Sequence, residues 1–89
     1  QAVVVDVRTT AEVESGHIHG SRNIPHTKLA SRIGELEKSR GKTIVVVDKI
    51  GQHSGGAGKL LTKDNYDARR LSGGISEWQG ASLPLVSGK

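Results

Sequence analysis

Two runs of largely β-branched residues, Val3-Val4-Val5-Asp6-Val7 and Thr43-Ile44-Val45-Val46-Val47, constrain this chain more than any other feature. A strand with one wet face alternates apolar and polar residues; these runs barely alternate, so each reads as a strand buried on both faces. Such strands belong to parallel sheets covered by helices. The first run ends at Arg8 and the second passes straight into Asp48. Candidate covering helices lie between and beyond them. Thr9 followed by Glu12 has the form of a capping box and predicts a short helix over Ala11–Ser15, stopped by Gly16. Thr27 is placed to cap a helix in which Leu29, Ile33 and Leu36 form one apolar stripe, with Gly41 closing it. Ser54 is the expected N-cap of a helix carrying Ala57, Leu60 and Leu61, although Gly55, Gly56 and Gly58 weaken it by about 1 kcal/mol each. Arg22-Asn23-Ile24, cut short by Pro25, and Ala68–Leu71 read as smaller strands, Ile75 to Gln79 as a last helix, and Leu83-Pro84-Leu85-Val86 as an extended tail. Strands alternating with helices through short loops predict an α/β fold with an open, mainly parallel sheet flanked by short helices.

At 89 residues the chain is a single domain, 1–89. A domain of this size buries only about 60–65% of its unfolded surface. With no Phe, Met or Cys, the core must come from Val, Ile, Leu and Ala, and Trp78 and Tyr66 are the only large rings; Trp78 is expected inside. The lack of cysteine excludes a disulfide, a thiolate metal site and a cysteine nucleophile. No apolar run approaches the ~20 residues that span a bilayer, and no signal peptide is recognisable. Gln1-Ala2 leads abruptly into the first strand, so a longer native chain upstream is expected. The net charge of +4 comes from basic residues scattered along the sequence and, with two aromatics only, gives no stacking platform; no nucleic-acid partner is expected.

In an open parallel sheet, ligands bind beyond the carboxyl ends of the strands. The polar residues there are Asp6 and Arg8 after the first strand and Asp48 after the second buried run, followed by the loop Lys49, Ile50, Gly51, Gln52, His53 and Ser54. A tight glycine-containing loop entering a helix aims several backbone N–H groups at one point and makes an anion site. It is not a nucleotide-binding P-loop, which would need glycine at His53 and Ser or Thr at Leu60. Asp48 as a nucleophile or base in a hydrolase or phosphoryl-transfer enzyme is an alternative, but no second carboxylate follows it to hold magnesium. His17, His19 and His26 have poor spacing for a metal; none is expected, nor any other cofactor.

Three motifs in order together resemble a known family. Val4-Val5-Asp6-Val7-Arg8 with Gly16-His17-Ile18-His19-Gly20-Ser21-Arg22-Asn23-Ile24-Pro25 is similar to the opening signature of rhodanese-like domains, Arg70-Leu71-Ser72-Gly73-Gly74-Ile75-Ser76-Glu77-Trp78 is similar to their closing helix motif, and Leu83-Pro84-Leu85 to their usual tail. The resemblance implies one further strand and helix upstream. It implies that a cysteine, whose persulfide is cradled by loop amides, would stand where Asp48 stands. Gly51 and Ser54 fit the family's loop; Lys49, Ile50 and His53 depart from it. Asp6 and Arg8 match a pair at the active-site mouth in which the arginine ties loops together, and His17 matches a turn-stabilising hydrogen bonder. The chain further resembles single-domain bacterial members anchored to the inner membrane, which carry Asp in the cysteine position and a run like Gly34–Lys38. Rhodanese chemistry needs a polarizable thiolate, so a carboxylate there implies a domain without sulfurtransferase activity that binds a small anion, a sulfur species or a protein partner. A purely structural protein-interaction domain is the remaining alternative.

Overall fold

The computed structural model describes residues 2–51, 53–71 and 73–88. Its elements in chain order are β1 (Ala2–Asp6), α1 (Thr10–Ser15), β2 (Arg22–Asn23), α2 (Leu29–Arg32) running into a 3-10 helix (Ile33–Ser39), β3 (Thr43–Val47), α3 (Ser54–Lys63), β4 (Asp67–Arg70) and α4 (Gly74–Gly80). The four strands form one sheet in the order β2-β1-β3-β4, and every neighbouring pair is parallel. β1 and β3 are the central strands, with Ala2 through Asp6 in register with Thr43 through Val47. These are the two runs that dominate the sequence. Adjacent residues of a strand point to opposite faces, and Val46 and Val47 are both fully buried, so the sheet is covered on both sides at this end.

The main cluster lies on one face. Val5, Val7, Ile44 and Val46, each pair two residues apart, meet Leu29, Leu36, Ala57, Leu61, Ile24 and Tyr66. Burying each Val or Leu side chain of this cluster contributes about 1.5–3 kcal/mol. Asp6 and Val47 are out of phase with that set and point to the other face, while Val13 of α1 and Ile75 of α4 are buried in their turn. The capping box of α1 is present in full: Thr9 accepts from the Glu12 amide, and Glu12 accepts from the Thr9 amide.

Three expectations are corrected. Thr27 does not cap α2; its N-cap is Lys28, without a side-chain hydrogen bond, and after Arg32 the helix tightens to 3-10. Ile33 and Leu36 recur at three residues, the period of that tighter helix, and Gly34 between them is a weak α-former. Ser54 is the first residue of α3 rather than its cap, which falls on His53 with no side-chain cap of its own. Trp78 is only half-buried; its indole Nε1 donates to the Pro84 carbonyl at 2.8 Å, so the ring packs on the outside, against the tail. The tail is extended at Val86, which pairs antiparallel with His17.

Candidate functional site

The chain leaves β1 toward β2 on one side and later returns to β3 on the other, so the sheet switches direction between β1 and β3. Their carboxyl ends frame the crevice where ligands of open α/β sheets bind. Asp6 and Asp48 both stand there, each about 1% exposed.

Asp48 turns inward. Its Oδ2 accepts the amide N–H groups of His53 and Ser54, the latter at 2.8 Å, and its Oδ1 accepts that of Gly51. The carboxylate therefore occupies the centre of the amide cradle that its own loop forms. Gly51 reaches this geometry at φ +100°, a region side-chain-bearing residues rarely adopt. A carboxylate against the first amides of a ten-residue helix also meets the positive end of its dipole, an effect of about 0.3–2 kcal/mol. The capping role expected of Ser54 is thus filled by a side chain six positions earlier, and the Ser54 hydroxyl instead donates to the Gly51 carbonyl at 3.3 Å. Lys49 and Ile50 are exposed on the outer side of the loop, and Gln52 lies outside the described residues, as does Ser72.

The root of the loop is held by α4. The amides of Ile75 and Ser76 donate to the carbonyls of Asp48 and Lys49 at 2.8 and 2.9 Å. A Cβ at Gly74 would lie 2.4 Å from the Asp48 carbonyl, so only glycine allows this approach. Sequence reasoning missed this clamp; the Gly73-Gly74 pair was its one visible sign.

Asp6 is satisfied differently. Arg8 donates to it from its backbone N–H, Nε and Nη2, the last at 2.8 Å, and the guanidinium also reaches the carbonyls of Gly16 at 2.7 Å and Glu12 at 3.5 Å. Asn23 Nδ2 donates to the carbonyls of Asp6 and Arg8, both at 3.0 Å. The Asp6–Arg8 pair is a brace between β1, β2 and α1. His17 is buried with Nδ1 2.8 Å from the Val13 carbonyl, a turn contact at the end of α1. His26 lies elsewhere, its ring stacked on His53. Among the described residues no helix is long and apolar enough to cross a membrane.

Comparison with known proteins agrees with the α/β fold described above. The family profile of the rhodanese-like domain matches residues 1–81. The Escherichia coli K12 protein YibN, itself uncharacterized, is 41% identical over 90 residues, covering 99% of this chain and 63% of YibN. The chain thus spans under two thirds of that relative's length. The thiosulfate sulfurtransferase PspE of the same organism is 27% identical over 84 residues, 94% of this chain and 78% of PspE. Among solved structures, a rhodanese-related protein of Thermoplasma volcanium superposes with a TM-score of 0.90 at 32% identity, over 96% of this chain and 83% of that one.

Proposed function

Since the chain belongs to the rhodanese-like family, we propose that it is a member without sulfur-transfer chemistry, a binding module whose cradle is closed by its own side chain. The observation that carries this reading is the Asp48 carboxylate holding the Gly51, His53 and Ser54 amides. Sulfur transfer requires a thiolate that attacks the outer sulfur of thiosulfate, expels sulfite and hands the sulfur on from a persulfide. This chain contains no cysteine, and a carboxylate forms no sulfur–sulfur bond. What remains at the mouth is a surface with Lys49 and Ile50 outward, suited to a protein partner. A small anion or sulfur species would have to displace Asp48 from three amides, which favours the partner over the anion. An Asp48 nucleophile or base is disfavoured on the same geometry, because both oxygens are engaged and the side chain is shielded from solvent. The inner-membrane tether implied by the resemblance would lie outside this chain, and fractionation of cells making the full-length protein tests it: recovery in the membrane pellet supports it, recovery in the supernatant removes it.

The test of function is a thiosulfate-to-cyanide assay on the protein and on Asp48→Cys. The protein is expected at buffer background; thiocyanate formation above it would overturn the proposal. Asp48→Cys is expected to gain turnover, since the cradle that now holds a carboxylate then faces a persulfide. Silence of both variants would keep the loss of chemistry but place it in Lys49, Ile50 and His53 as well.

A further inference from the structure

The first turns of α3 carry Gly55, Gly56 and Gly58, each of which costs about 1 kcal/mol in a helix. Packing accounts for part of that cost. The side chain of Arg70, on the edge strand β4, lies along this glycine face: a Cβ at Gly58 would stand 4.0 Å from its Cγ, and one at Gly55 only 3.3 Å from its Nη1. The arginine therefore points toward the N-terminal end of α3 and brings its guanidinium to the mouth of the cradle, where it shares a hollow with Ile50, Gly51, Leu71 and Gly73. The positive end of the helix dipole disfavours a cation there. Nothing nearby offsets it, since the Asp48 carboxylate is turned inward onto its amides. Arg8, Arg22, Arg32, Arg40 and Arg69 each hold a carboxylate, whereas among the described residues Arg70 makes no hydrogen bond and no ion pair. From the same arginine a groove of about 800 Å³ continues along α3, floored by the glycines and flanked by Lys59 and Lys63, one helical turn apart. No carboxylate among the described residues lines either hollow. Asp64 at the end of α3 and Asp67 at the start of β4 are held by Arg40 and Arg69.

We propose that this groove docks an acidic segment of the protein partner, and that Arg70 selects for it by pairing with a carboxylate at the mouth of the cradle. The inference rests on the reading of the domain as a binding module. A guanidinium presents a planar fork of donors that matches a carboxylate with two parallel hydrogen bonds. Arg70 offers that fork already laid against the helix, so little side-chain freedom is lost when an acidic group arrives. Lys59 and Lys63 meet further carboxylates along the segment and draw it in at long range. Ile50, 62% exposed, stands at the rim of the same hollow and supplies an apolar contact beside the ion pair. A nucleic-acid strand fits less well, because no aromatic ring lines the groove to stack on its bases.

The experiment is fluorescence anisotropy of a labelled peptide of alternating Glu and Ala, about ten residues long, titrated at low salt with the full-length protein, with the Gln–Ala peptide as control. The Glu peptide is expected to bind and the Gln peptide not. Arg70→Gln should weaken binding about fivefold, and Lys59→Gln with Lys63→Gln about threefold. Lys38→Gln with Lys42→Gln removes the same charge from exposed positions outside the groove, and should leave the affinity within about twofold. An equal loss in that control would reduce the effect to net charge and overturn the groove. So would a full-length protein that binds neither peptide, as it would if the groove were filled by its own chain, or one that prefers a single-stranded oligonucleotide of equal charge. The thiosulfate-to-cyanide assay on the same preparation tells the failures apart: turnover overturns the binding-module reading, while a failed peptide contrast without turnover overturns the groove alone.

Discussion

Asp6 and Asp48 end neighbouring parallel strands, are equally buried, and are neutralised by opposite means. Asp6 is held by a side-chain cation, with Arg8 supplying its guanidinium and its own amide. Among the described residues, Asp48 is held by the backbone amides of Gly51, His53 and Ser54 in the loop that follows it. The first arrangement depends on the identity of two side chains. The second depends on the path of the chain, set by Gly51 at positive φ and by the Gly74 clamp, and it accepts whatever small anionic group stands at position 48. A cradle built from backbone keeps its donors in place when its occupant is exchanged. A brace like Asp6–Arg8 cannot lose one partner so cheaply.

The largest expected effect breaks the brace. Arg8→Ala strands a buried carboxylate and removes the donors to the Gly16 and Glu12 carbonyls. Removing one partner of a buried ion pair costs about 3–5 kcal/mol, a large share of the ~5–15 kcal/mol that holds a small domain together. Urea denaturation of the purified variant, or its failure to accumulate folded, measures this. Emptying the cradle should cost less. Asp48→Ala leaves three amides without their acceptor, about 2–3 kcal/mol, since water and buffer anions reach groups at the mouth of a crevice. Added sulfate or thiosulfate should restore part of that loss in Asp48→Ala and none of it in Arg8→Ala, by binding to the folded state alone. Equal losses in the two variants, with no anion response in either, would erase the distinction between them.

The same contrast marks what the sequence could show. Both central strands were legible because unbroken β-branched runs encode double burial, and with them came the parallel α/β class and the place of the crevice. The α1 capping box was legible because its partners are three residues apart. The cap of α3 was misread as Ser54, because Asp48 reaches its amides only after the loop has folded back. Thr27 failed as a cap since the turn of Pro25 through Lys28, closed by the Lys28 amide on the Pro25 carbonyl at 2.8 Å, delays the helix by one residue. Trp78 looked like core by size, yet the cluster is completed by Leu, Ile, Val and Tyr66, and the indole is left to pin the tail. The His26–His53 stack joins two loops distant in sequence, and no local pattern announces it.

A third carboxylate sets the small end of the scale. Glu35 accepts Arg32 Nε at 2.7 Å and Arg22 Nη2 at 3.2 Å, yet it lies on the surface. The hydrogen bond from Arg32, then that from Arg22, lowers its pKa from the ordinary 4.5 to about 2. A group whose pKa is depressed on folding adds stability above its unfolded value and loses it as pH falls, here between 4.5 and about 2. Water and salt screen exposed pairs, so Glu35→Gln at pH 7 should move the denaturation midpoint far less than either buried variant. Whatever difference it makes should shrink steadily below pH 4.5, because the wild-type carboxyl then takes up the proton that the amide imitates. A Glu35→Gln loss approaching that of Arg8→Ala would show that hydrogen-bond geometry outweighs burial here. The ordering of the three carboxylates would then have to be argued from their donors alone.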